Sequence, residues 1–151
     1  MSSTITIIIG LPGSGKTTFI KNNFKKLENI LICDDFHKSS SNHTHNFTDS
    51  RYYLKLKDAL SMNKNIVLSD IAWCKKERRD LLLSEIDKLT KKLKINPNIE
   101  FIYFENNPLA CKNNVIKRDR KERVERELQI IDEWSAKYII PDNIKTFPVY
   151  N

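Results

Sequence analysis

Glycine is scarce in this chain: only three occur in 151 residues, Gly10, Gly13 and Gly15. Cysteine is equally rare, with Cys33, Cys74 and Cys111 widely spaced and odd in number. That count excludes a disulfide framework, and the absence of any C-x-x-C pair leaves no zinc site of that type. Long apolar runs are missing too. The first strand-like run is only Ile5–Ile9, far short of the roughly 20 residues of a membrane span. The amino terminus carries no basic region of the kind that opens a signal peptide. These absences point to a chain of a reducing compartment, the cytoplasm, with no membrane partner. Beyond Ser39-Ser40-Ser41 there is no low-complexity stretch, linker or internal repeat. What remains is 40% hydrophobic and 30% charged, an ordinary globular balance. The length fits one domain over residues 1–151 with a proper core. The formal net charge of +7 favours a polyanionic partner, although a lysine- and asparagine-rich composition gives the same excess.

The three glycines stand together in Gly10-Leu11-Pro12-Gly13-Ser14-Gly15-Lys16-Thr17, which fits G-x-x-x-x-G-K-[ST] throughout. An apolar β-branched run precedes it and a helix-compatible segment beginning Thr18-Phe19-Ile20 follows. That strand–loop–helix setting is what a P-loop needs. Its glycines let backbone N–H groups close around phosphate oxygens, and the helix adds its positive end. Lys16 reaches the outer phosphates and the Thr17 hydroxyl ligates Mg²⁺. The motif therefore predicts a site for a nucleoside triphosphate with a divalent metal.

Further along, hydrophobic periodicity alternates between strand and helix. Strands are expected at Thr4–Ile9, Ile30–Cys33, Asn65–Asp70, Asn98–Glu105 and Lys145–Tyr150, the last an edge strand because of Pro148. Helices are expected from Thr18 to about Leu27, from a cap at Thr48 or Asp49 to about Met62, from Lys75 to Lys92, and from Pro108 to about Arg118. A last helix bears Val124, Leu128, Ile131, Trp134 or Ser135, and Tyr138, and ends before Pro141. This order implies an α/β fold with a parallel sheet covered on both faces and ligands at the carboxyl ends of the strands.

Three acidic positions fall at such ends. Asp70 closes the third strand, the arrangement that holds Mg²⁺ directly or through water. Asp34 and Asp35 close the second, where a carboxylate could orient an acceptor hydroxyl and take its proton; composition does not choose between them. His37, His43 and His45 lie in a polar stretch with no clear carboxylate or cysteine to complete a metal set, so they read as a loop able to cover substrate. Between Lys112 and Arg126 there are seven basic residues. Arg118 and Arg120 are the candidates for a lid over the phosphates, and Arg123 to Glu127 read as mostly solvated surface.

Taken together, Ile8 to Thr18, Asp34-Asp35, Ser69-Asp70 and Glu77-Arg78-Arg79 resemble the phage-type 5′-hydroxyl polynucleotide kinase domain, one of the small P-loop kinases in the AAA-type ATP-binding group. The likeness runs in order over nearly the whole chain. It implies a five-stranded parallel sheet of order 2-3-1-4-5, an α-helical lid, and ATP and Mg²⁺ as cofactors. It also implies transfer of the γ-phosphate to the 5′-OH of DNA or RNA. It assigns the catalytic base to Asp34, with Lys16 and Arg118 as its catalytic cations, and puts Asp35 and the position of His37 beside the acceptor. This chain departs from the pattern at His37, where the family often has arginine, at Ile71-Ala72 in place of Thr-Asn, and at Asn113-Asn114 in place of Arg-Asn. Arg118 then matches the second lid arginine. No Asp-x-Asp motif of the companion phosphatase is present. Related small kinases that act on metabolites, nucleosides or nucleotides share every ATP-side feature, and a nucleotide-dependent binding module or switch shares the P-loop.

Overall fold

The structure, a computed structural model, describes residues 3–37, 46–118 and 121–150. His43, His45 and Arg120 lie outside the described residues. Five parallel strands form one sheet of order β2-β3-β1-β4-β5: β1 Thr4–Ile9, β2 Ile30–Cys33, β3 Asn65–Ser69, β4 Asn98–Phe104 and β5 Thr146–Phe147. Among the described residues, five α-helices connect and extend them: α1 Lys16–Asn23, α2 Tyr53–Ser61, α3 Lys76–Leu93, α4 Pro108–Arg118 and α5 Lys121–Ser135. The expected sheet order is the one observed, and β5 is its edge.

β1 lies at the centre. It pairs with β3 in the register Ile5 to Ile66 and with β4 in the register Ile5 to Ile99. Strand alternation divides its side chains between two cores. Ile5, Ile7 and Ile9 join the larger one, against Leu56 and Leu60 of α2, Leu82 and Ile86 of α3, and Val115 of α4. Ile8 joins the smaller one, where Phe19 and Ile20 of α1 pack on Val67 and Phe104. Both faces of the sheet are covered, as a parallel sheet requires. At the carboxyl end of the sheet the Tyr138 hydroxyl donates to Phe104 O at 2.5 Å. Burial raises the Tyr138 pKa, so this hydroxyl keeps its proton.

Several element ends differ from expectation for local reasons. α1 stops at Asn23, because Phe24 N and Lys25 N both donate to Ile20 O, at 2.8 Å and 3.2 Å, and the regular ladder ends there. Asn29 then adopts a left-handed φ of 57° before β2, and Leu27 stays exposed. Thr48 and Asp49 do not cap α2. They form a 3-10 turn with Phe47, and the Asp49 carboxylate accepts from Asn46 at 2.8 Å. The Ser50 hydroxyl closes the turn before the helix, accepting from Tyr52 N at 3.1 Å while donating to Phe36 O at 2.5 Å, and α2 begins at Tyr53 without a side-chain cap. β5 is cut to two residues because Pro148 brings no N–H, and the next amide, Val149, donates to the Glu105 carboxylate at 3.1 Å.

The three cysteines are buried and free. Burial pushes the Cys33 and Cys74 thiols up to about 12 and Cys111 to about 11, which leaves them protonated. Among the described residues no helix is long and apolar enough to cross a membrane.

Candidate active site

β1 ends at Ile9, and the chain turns through the P-loop directly into α1. Ser14 N donates to Leu11 O at 3.1 Å, closing a turn over Pro12 and Gly13. Gly15 adopts a φ of 102° and caps α1 with no side-chain hydrogen bond. The first-turn amides of α1 are thus left without a side-chain cap, the arrangement that accepts an anion. Lys16 folds back over the loop, its Nζ donating to Gly10 O at 2.6 Å and to Leu11 O at 3.1 Å. The Ser14 hydroxyl is fully buried and has no hydrogen-bond partner among the described residues.

Facing the loop is a cleft of about 300 Å³. Pro12, Gly13, Gly15, Lys16 and Thr17 form one side, Asp34, Asp35 and Ile71 the second, and Arg118 of α4 with Glu127 and Ile130 of α5 the third. The side chains of Thr17 and Asp34 meet across it: Thr17 Oγ1 donates to Asp34 Oδ2 at 2.7 Å. Asp34 Oδ1 accepts from the Ser69 hydroxyl and, at 3.1 Å, from Asp35 N. The carboxylate is therefore oriented by three donors, one from the P-loop, one from the end of β3 and one from its own turn. Asp35 occupies left-handed space at φ 53°, a conformation aspartate tolerates better than most residues, and its side chain enters the cleft as well.

Two expected site residues are placed elsewhere. Asp70 is 3% exposed, and both its oxygens receive backbone amides, His37 N on Oδ2 and Ala72 N on Oδ1, each at 2.8 Å. It caps the 3-10 turn Ile71–Cys74 and joins the loop after β2 to the loop after β3. His37 is buried with its ring edge-on to Phe36 and Trp73, and neither it nor Asp70 lines the cleft. Gly10, Leu11, Ser14 and Thr18 support the loop without lining it. Gly10 has no room for a side chain, because a Cβ there would lie 2.5 Å from Ser14 Oγ.

The residues present fit a triphosphate: the Lys16 ammonium, the Thr17 hydroxyl and the Arg118 guanidinium line one cleft, at the start of α1 where no side chain caps the helix amides. For a divalent cation the P-loop offers the Thr17 hydroxyl. No cluster of three or more metal-ligating side chains exists among the described residues, so phosphate oxygens and water would complete the shell, as Mg²⁺ prefers.

Glu127, Ile130, Ile71 and Ser69 had not been expected here. A signal for the first two does exist in the sequence. Glu127 and Ile130 are three apart and share a helix face; Glu127 lies one turn before the core residue Ile131 and Ile130 directly precedes it. Ile71 and Ser69 flank Asp70, and only the fold shows which of the three neighbours turn toward the cleft.

A family model described as an AAA domain matches residues 5–139. The chain belongs to the AAA domain family. It is a P-loop, kinase-like nucleotide-binding domain, in agreement with its resemblance to polynucleotide kinases. An uncharacterised protein of Acanthamoeba polyphaga mimivirus is 28% identical over 151 residues, spanning 100% of this chain and 94% of that protein. Among solved structures, a chain of the Pnkp1/Rnl/Hen1 RNA repair complex superposes with a TM-score of 0.54 at 18% identity. The match covers 95% of this chain and spans half the length of that one, a likeness of fold.

Proposed function

We propose that this protein is an ATP- and Mg²⁺-dependent kinase that moves the γ-phosphate of ATP to a hydroxyl, the 5′-OH of a DNA or RNA strand being the acceptor that best suits it. The observation that carries this reading is the carboxylate of Asp34 set against the P-loop hydroxyl of Thr17, in one cleft with Lys16 and Arg118. A kinase uses an oriented carboxylate there, because the acceptor hydroxyl must be aligned and its proton taken.

The bound metal would neutralise charge between the outer phosphates. Lys16 leaves the loop carbonyls to meet the phosphates, and the α1 amides hold them from below. Thr17 would hold the cation, with phosphate oxygens and water completing its shell. Asp34, oriented by Ser69 and Asp35 N, would align the acceptor hydroxyl, and Asp35 flanks it. Arg118 approaches from α4 and stabilises charge developing on the transferred group. The acceptor class rests on the resemblance, on the net charge of +7, and on the fold shared with a chain of an RNA repair complex.

One observation favours a second reading. The buried His37 and the cleft-lining Glu127 and Ile130 give the acceptor side less positive charge than a polyanion would suit, and a small metabolite or nucleoside fits such a wall. Transfer of labelled γ-phosphate to 5′-OH DNA, 5′-OH RNA, mononucleotides and nucleosides separates the two. The proposal expects labelled oligonucleotide. It also expects acceptor affinity to fall with salt at a slope of about 0.9 for each phosphate neutralised on duplex DNA, or about 0.7 on a single strand. Label on small acceptors alone, with a flat salt profile, overturns the polynucleotide assignment.

A further inference from the structure

Where α4 crosses the P-loop, one side chain joins three separate pieces of chain. The amide of Asn114 donates through Nδ2 to Gly13 O at 2.9 Å and to Tyr150 O. Tyr150 N in turn donates to Ser14 O at 3.1 Å. Two successive P-loop carbonyls, Gly13 and Ser14, are thus held from the same side, one by α4 and one by the segment after β5. A trans peptide points its N–H opposite to its C=O, so fixing Ser14 O turns the Gly15 amide away from Tyr150. The approach is close. A Cβ on Gly13 would sit 2.5 Å from Cys111 O and 3.0 Å from Val115 Cγ2, and one on Gly15 would sit 2.4 Å from the Tyr150 ring. Asn114 itself does not line the cleft, but Arg118, four residues on and on the same helix face, does.

We infer that Asn114 is a positioning residue: it fastens α4 and the 148–150 segment to the P-loop carbonyls, and so sets both the loop conformation and the place from which Arg118 reaches the phosphates. The inference deepens the kinase reading and rests on it. α4 is then a wall of the site whose place depends on Asn114. The half-buried Asn114 holds it to the loop through Gly13 O and to the 148–150 segment through Tyr150 O, and Cys111 and Val115 bury its inner face.

The test has two arms. In the nucleotide-free protein, Asn114→Ala leaves a folded chain whose amides over residues 13–16 exchange with solvent faster than in the wild type; unchanged exchange there overturns the inference. In the kinase assay, Asn114→Ala lowers kcat about ten- to hundredfold. Combined with Arg118→Ala it adds little to the loss caused by Arg118→Ala alone, the non-additivity expected of residues that act as a unit. Losses that multiply, or a fully active Asn114→Ala protein, overturn it. Asn114→Asp keeps the shape but removes both donated hydrogens, and loses at least as much; an active Asp variant is equally contrary. A wild-type protein that transfers no phosphate to any acceptor refutes the kinase reading, while the exchange arm still decides the role of Asn114 in the loop.

Discussion

The P-loop side of the cleft and the acceptor side are built by different means. On the P-loop side nine consecutive residues, Gly10 to Thr18, carry the chemistry, and most of it is backbone: loop carbonyls hold Lys16, and uncapped helix amides face the site. On the acceptor side the working groups are side chains brought in from the end of β2, the turn after β3 and the face of α5. They hold together through single contacts such as the Thr17–Asp34 and Ser69–Asp34 hydrogen bonds. Backbone sites depend on a few residues that allow unusual φ and close packing. Side-chain sites depend on the packing of whole elements. The two halves should therefore fail in different ways when mutated.

The largest expected effect is chemical and falls on the acceptor side. Asp34→Asn keeps the shape and loses the base, so phosphate transfer should fall by about 10²–10⁴ while nucleotide affinity, measured by titration of the same protein, barely changes. A parallel loss of nucleotide binding would join the two halves into one unit and erase the distinction.

Next comes the support of the acceptor side. Arg79 is 5% exposed and donates to Trp73 O at 2.9 Å, Cys74 O at 3.0 Å and Ile139 O at 2.7 Å. It thereby ties the turn after β3 to the chain beyond α5. Its guanidinium lies 5.5 Å from the Tyr103 ring centre. Arg79→Met leaves three carbonyls short of a donor, and a loss of about 2–4 kcal/mol is expected in denaturant unfolding, since each unsatisfied group costs about 1–3 kcal/mol and neighbouring losses overlap. A change below about 0.5 kcal/mol would mean that the buried guanidinium holds nothing.

On the P-loop side, Gly15→Ala forces a side chain into a φ of 102° and against Tyr150. The strain costs about 1–3 kcal/mol. It should show first as weakened nucleotide binding, with the spectrum of the folded protein retained. Equal affinity would show that the loop is not the binding half.

The smallest effect sharpens the assignment of Asp70. As a cap for two amides, Asp70→Asn should cost about 1 kcal/mol of stability and leave the Mg²⁺ concentration needed for activity unchanged. A large rise in that requirement would give Asp70 the metal role that its place at a strand end first suggested.

The contrast between the halves also explains what could be read from the chain alone. The strand–loop–helix at residues 4–23 follows from local pattern, because a P-loop writes its chemistry in adjacent residues; the order of the sheet and the choice of Asp34 over Asp35 come from the resemblance to a known family. Asp70 and His37 could not be placed that way. Both follow buried strands and look equally available in sequence, yet Asp70 turns to the amides of His37 and Ala72, and His37 packs against Trp73. Glu127 looks like one more charge on a solvated helix until α5 folds back along α4, held by the Lys112–Asp132 ion pair at 2.5 Å. Side chains gathered from separate elements are decided by tertiary packing, and propensity carries little of that information. The ends of α1 and α2 differ from expectation for smaller, local reasons: Phe24 N and Lys25 N share the Ile20 carbonyl, and the Ser50 hydroxyl closes a turn ahead of α2.

The most direct measurement runs wild type and Asp34→Asn side by side, each with labelled Mg-ATP and a 5′-OH oligonucleotide, alongside a titration of ATP binding to both. The account predicts label on the oligonucleotide with the wild type, almost none with the Asn variant, and matching ATP affinities. An Asn variant that labels the acceptor as fast as the wild type would contradict the central claim that the carboxylate facing the P-loop drives the transfer.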